Sequence, residues 1–201
     1  MVDSERTSEI HLVEELTGRR VLEAWLSTAP ATDDLHVLLE EKPELSSRHI
    51  DFDELRALPA DTLGRSYIEH LDRNGLSADS QATPTTDVED EEVAYLVRRF
   101  RQTHDVWHAL LELGTTGHEE VVIHAFSFGQ LRLPVSALVL AFGSLKHIVF
   151  EGRLELLTRG LADAHRVGKQ AKPLLGVHWE RRWRQPIDDV RREFDLRSLG
   201  Q

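Results

Sequence analysis

The stretch that decides the fold is 87-DVEDEEVAYLVRRFRQTHDVWHALL-111. Asp87 stands where a helix cap belongs, and Glu89, Asp90, Glu91 and Glu92 fill a first turn, where the helix dipole favours negative charge. Val93, Leu96, Val97, Phe100, His104, Trp107, His108 and Leu111 then recur at helical spacing. Stepping about 100° per residue from Val93, His104 falls at ~20° and His108 at ~60°. Both imidazoles therefore lie inside the apolar stripe and face the core.

Working outward, the pattern stays helical. Ile10–Ser27 reads as a helix loosened by Thr17-Gly18, and Leu35–Glu40 as a short one capped from Thr32-Asp33-Asp34 and stopped before Pro43. Asp51–Leu58 is short, and Leu63–Asn74 ends on Gly75, a C-cap glycine. Ser77–Thr86 is a loop, and Leu113–Gly117 a turn before a long apolar helix from near His118. Arg153–His165, a link at Lys172-Pro173, a segment with Trp179 and Trp183, and a helix over Pro186–Phe194 complete the chain. No strand alternation and no repeat is seen, so the expected fold is all-α, a multi-helix bundle forming one domain over residues 1–201.

Composition narrows the function. At 201 residues, 40% hydrophobic and 29% charged, the chain is that of a soluble globular domain. With no cysteine there are no disulfides, thiolate nucleophiles or thiolate zinc sites, whereas 11 histidines leave nitrogen and oxygen ligation open. A net charge of −11 argues against nucleic acid as a partner. The charge is uneven: residues 1–145 carry −15 and residues 146–201 carry +4, a basic end suited to an anionic surface or simply to solvent. Met1 to Glu15 is acidic and has the features of neither a signal nor a transit peptide, so the expected location is cytoplasmic, peripheral at most on the cytoplasmic membrane. Val121–Leu145 is the most apolar run, but Arg132 and Pro134 interrupt it; the 13 residues of Leu133–Leu145 are too short to span a bilayer core of ~30 Å.

His104 and His108 are four apart and share a helix face; Asp105 sits at its edge, and Glu120 would have to return from the next segment. Burying two imidazoles demands two partners, and two carboxylates nearby make a divalent-metal site the sharp reading against two satisfied core histidines. Zinc fits such donors best by affinity order, with iron(II), manganese and cobalt also suited. A phosphohydrolase of the H…HD…D kind is a competitor, needing His49 or His70 and Asp163 as well. The H-E-x-x-H zincin pattern, phosphate loops, nucleophile elbows and dinucleotide fingerprints are absent from the sequence.

Taken in order, these residues resemble the coenzyme Q biosynthesis protein four family, marked by H-D-x-x-H-x(11)-E, here His104, Asp105, His108 and Glu120. Leu63-Gly64-Arg65 with Tyr67 and Leu71, Asp90–Tyr95, Ala171–Leu175 and Trp179–Trp183 resemble its flanking blocks, from about Leu63 to Phe194. The chain departs at Leu111–Gly114 and at His124-Ala125-Phe126-Ser127. The resemblance implies an all-helical protein of ubiquinone synthesis that takes those four residues as metal ligands and binds a polyprenylated aromatic acid or another isoprenoid lipid. It implies peripheral membrane association and partnership with other quinone-biosynthesis enzymes, and is compatible with a homo-oligomer. It implies either oxidative decarboxylation of a polyprenylated 4-hydroxybenzoate ring or a scaffold role. Under it Phe126, Phe128, Leu138 and Phe142 would line a groove for the tail, where the sequence alone favours plain core packing, and Arg182, with Arg181 and Arg184, would meet anionic lipid or form surface ion pairs.

Overall fold

The computed structural model describes residues 4–81, 85, 87–151 and 154–200, with side chains described outside 4–11, 144–151 and 154–159. Among these residues the elements are α-helical, with two 3₁₀ turns and no strand: α1 (Ser4–Thr28), α2 (Asp33–Glu41), α3 (Phe52–Ala57), α4 (Leu63–Asn74), α5 (Glu91–Leu111), α6 (Gly117–Leu131), α7 (Pro134–Glu151), α8 (Leu154–Gln170) and α9 (Ile187–Glu193). The 3₁₀ turns cover Ala78–Gln81, inside the expected loop, and Trp179–Arg181. Residues 82–84 and 86 of that loop, and residues 152 and 153 before α8, lie outside the described set.

Helix ends follow local chemistry. Thr32, Asp51 and Thr62 cap α2, α3 and α4 with side-chain oxygens, and Gly75 closes α4 at φ 64°. The cap of α5 is Asp90 and not Asp87: its carboxylate accepts from the Glu92 and Val93 amides. Thr17-Gly18 does not interrupt α1, which runs unbroken from Ser4 to Thr28 with Thr17 Oγ1 donating to the Val13 carbonyl at 2.6 Å and Gly18 facing Leu133. The apolar run from His118 is two helices: Arg132 closes α6 at φ 55°, and Pro134 takes the first position of α7. α8 runs on to Gln170, five residues past the expected end, and Pro186 caps α9 from outside the helix.

α5 is the axis of the bundle and is buried on nearly every side. Several of its buried polar side chains are bonded to other elements, although Arg99 Nε, Gln102 Nε2 and Trp107 Nε1 lack partners. Arg101 pairs with Glu14 and Glu15 of α1, Arg99 with Glu180, and Gln102 accepts from the Leu45 amide. α4 and α1 pack on α5, while α6 lies closest against α8.

That last contact depends on glycine. A Cβ on Gly168 of α8 would run into the Phe126 carbonyl of α6, and one on Gly129 would meet the His165 carbonyl. Backbone cannot yield as a side chain can, so Gly168→Ala is expected to destabilise by ~1–3 kcal/mol. Gly160→Ala, in the same helix but with no heavy atom within 4 Å of the new Cβ, is expected to stabilise by up to ~1 kcal/mol. Thermal unfolding of the pair tests this; equal shifts would mean that α6 and α8 do not touch through their backbones.

Candidate metal centre

The α5–α6 connection builds the site. Glu112 caps α5 in the left-handed region at φ 57°, where glycine is usual, and Arg191 holds its carboxylate at 2.8 Å. The chain then folds back so that the Leu113 carbonyl sits 3.3 Å from His108 Nδ1. A carbonyl can only accept, so the His108 proton belongs on Nδ1 and the Nε2 lone pair is free, the tautomer a metal-binding histidine needs.

Thr116 caps α6 through a capping box with Glu119, whose carboxylate accepts from Thr116 Oγ1 at 2.7 Å and from the Gly114 amide at 2.8 Å. Glu120, the next residue, turns the other way, toward α5. Its oxygens lie 3.5 Å from His108 Nε2 and 3.7 Å from His104 Nε2, and the two imidazole nitrogens are 3.2 Å apart. One donor atom from each of His104, His108 and Glu120 falls within 4.8 Å of the others, a set that could hold a divalent ion. His108 is fully buried, while the His104 and Glu120 side chains keep 16% and 36% of their surface, so the site opens on their side.

Asp105 is not in this cluster. It is buried on α5 beside the histidines, its carboxyl pushed up by burial, and its charge acts on His104 and Tyr67 from behind. Burial also works against the charge on Glu120, but the two imidazoles facing it outweigh burial, His104 foremost, and hold its carboxyl below the usual carboxylate range. His104 is the counterpart: burial disfavours its charge, and Glu120 more than restores it.

Two further histidines border the triad. The His70 ring of α4 stacks on His108 with centroids 5.1 Å apart, and the His124 ring of α6 lies 5.4 Å from that of His104. Burial first, then the neighbouring histidines, pushes His70 down to about 4 and His124 down to about 3, so both are neutral at physiological pH. In the sequence His70 stands out only as a phosphohydrolase candidate and His124 only as a departure from the family pattern. Position 124 is one turn on from Glu120, a spacing that marks the same helix face; nothing local marks His70. The other phosphohydrolase candidates are elsewhere: His49 bonds Ser46, and Asp163 pairs with Arg166 and Arg197.

The residues expected to meet lipid divide. Phe126 is fully buried, edge-on to Trp107, and belongs to the core. Phe128 is half-buried against His165. Leu138 and Phe142 are exposed on α7, Phe142 to 70%. Arg182 is engaged within the protein, pairing with Asp34 and Glu193 and covering the Phe194 ring; Arg181 and Arg184 pair with Glu41 and Glu54. No helix among the described residues is long and apolar enough to cross a membrane.

The mitochondrial ubiquinone biosynthesis protein COQ4 homolog of Bos taurus is 35% identical, over 98% of this chain and 73% of its own length. That of Anopheles gambiae is 31% identical over 100% and 70%, and that of Homo sapiens 32% over 95% and 71%. These relatives are named as mitochondrial, which does not agree with a strictly cytoplasmic expectation. The same fold occurs in the crystal structure of a proposed ubiquinone biosynthesis protein from Nostoc punctiforme, with a TM-score of 0.75 at 20% identity, covering 97% of this chain and 89% of that one. With the family model for coenzyme Q (ubiquinone) biosynthesis protein Coq4 matching residues 1–199, the chain belongs to that family.

Proposed function

We propose that the protein is a metal-dependent enzyme of ubiquinone biosynthesis that replaces the carboxylate of a polyprenylated 4-hydroxybenzoate-type ring by hydroxyl. The observation that carries this reading is the His104–His108–Glu120 triad with its free Nε2 on His108, a donor set tied to its second partner as metal histidines are. Three protein donors leave a coordination position for a substrate oxygen, as in catalytic and not structural sites. The change is a two-electron oxidation with dioxygen as oxidant and water as co-reactant: the ring–carboxyl bond breaks, carbon dioxide leaves, a ring–oxygen bond forms, and the two electrons reduce dioxygen to hydrogen peroxide. A bound ion would supply Lewis acidity to the departing carboxylate, and iron, manganese or cobalt could add redox chemistry that zinc lacks. Within the chain, Glu120 and the two histidines fix the donors, and the buried neighbours Asp105 and His70 keep the inner side closed to water.

The alternative, a lipid-binding scaffold that gathers other quinone-biosynthesis enzymes at a membrane surface, is favoured by one feature. Leu12 and Leu16 of α1 and Leu138 and Phe142 of α7 are large apolar side chains left exposed on two helices that pack together.

The test loads purified protein in turn with zinc, iron(II), manganese and cobalt and supplies the prenylated hydroxybenzoate with oxygen. Carbon dioxide release with at least one metal is expected, and metal analysis of protein purified without chelator identifies the ion. Tight binding of the lipid with no release under any metal would leave the scaffold reading standing.

A further inference from the structure

His124 adds a feature to the open side of the site. His124 Nδ1 lies 3.3 Å from the Ser136 hydroxyl, which is wholly buried near the start of α7. A buried hydroxyl needs an acceptor for its proton. Among the described residues, His124 Nδ1 is the acceptor that bonds Ser136 Oγ. The hydroxyl therefore donates to Nδ1, and the imidazole proton must sit on Nε2.

That Nε2–H is on the ring edge turned away from α7, and its ring borders His104. No described residue accepts from it. His124 stands beside the two ligands that keep exposed surface, His104 and Glu120, and one helical turn beyond Glu120. It is not within the 4.8 Å of the donor cluster. One oxygen atom spans such a gap: a metal–oxygen bond and an N–H···O hydrogen bond together reach about 5 Å.

We infer that His124, oriented by Ser136, is the ligand-positioning residue of this chain: its Nε2–H grips an oxyanion, a carboxylate or phenolate oxygen, brought to the open side of the His104–His108–Glu120 site. The inference rests on the metal reading above. It also ties the two ends of an amphiphilic ligand to one helix, since α7 holds His124 through Ser136 and presents Leu138 and Phe142 on its outer face.

The experiment uses the full chain loaded with cobalt(II) and follows its visible spectrum as 4-hydroxybenzoate is added. His124→Ala is expected to keep one cobalt per chain and to bind 4-hydroxybenzoate tenfold or more weakly, the loss of one hydrogen bond to a charged acceptor. His124→Phe fills the volume without a donor and should show the same loss should the alanine variant fold poorly. His124→Gln restores an N–H and should return affinity to within about threefold of the original. Unchanged 4-hydroxybenzoate affinity in folded, cobalt-loaded His124→Ala or His124→Phe would overturn the proposal. Loss of the cobalt itself in those variants would overturn it too, by making His124 a ligand. Failure of the unaltered protein to take up cobalt would sink the metal reading, and this one with it.

Discussion

His108→Ala is expected to abolish metal binding, with affinity falling by more than ~100-fold, since losing a mere outer-shell partner already costs ~10–100-fold. His108 is the deepest of the three donors and the one whose tautomer is set by a backbone carbonyl. Without it, His104 and Glu120 form a two-point site open to water, and the Leu113 carbonyl loses its partner. Glu119→Ala is the matched comparison. Glu119 is adjacent to Glu120 in sequence, but its oxygens accept from Thr116 and Gly114 in the α6 cap and contribute nothing to the donor cluster. Its loss should cost ~0.5–2 kcal/mol of cap energy while leaving one metal per chain. Metal content after dialysis, read beside the unfolding temperature, separates the two. Equal loss of metal from both variants would mean that the wrong glutamate has been assigned to the site.

Much of this could be read from the chain, and the parts that could not have physical reasons. The apolar stripe from Val93 to Leu111 fixed α5 and turned both histidines inward, because helical periodicity alone determines which residues share a face. Asp87 and Asp90 were indistinguishable as caps, since an acidic run offers the same carboxylate several times over. That Glu120 returns to α5 depends on the left-handed turn at Glu112, and no glycine announces that turn. Asp105 shares the motif with its neighbours, yet one step of about 100° along the helix removes it from their face. The largely apolar run from Val121 through α7 carries little amphipathic pattern, so sequence could not tell the buried Phe126 from the exposed Phe142. His70 reaches the site by the packing of α4 on α5, a contact between distant positions that no local signal encodes.

The Trp179–Trp183 block, legible only as a resemblance, acquires a structural reason through Arg99. This guanidinium is wholly buried, donates to both oxygens of Glu180 at 2.6 and 2.8 Å, and gives a third bond to the Val177 carbonyl. Its Nε already lacks a partner. Glu180→Ala would strand the charge in the core, which typically costs about 3–5 kcal/mol, a fall in Tm of roughly 10 °C for a chain of this size. The pH dependence carries the same signature. Burial opposes ionisation of Glu180, but His178 and Arg99 outweigh it and hold the carboxyl down to about 2. A depressed carboxylate stabilises fully above its ordinary value near ~4.3 and loses that contribution as pH falls toward the folded value. His178, raised chiefly by Glu180 and also bonded to Glu41, behaves oppositely: its contribution is complete below its ordinary value and fades as pH rises through the raised one. Tm plotted against pH should therefore fall on the acid side through Glu180 and on the alkaline side through His178, and Glu180→Ala should flatten both limbs at once. An alanine variant whose Tm matches the original across that range would mean that Arg99 is reached by water, and that the C-terminal block does not anchor the helix carrying the metal ligands.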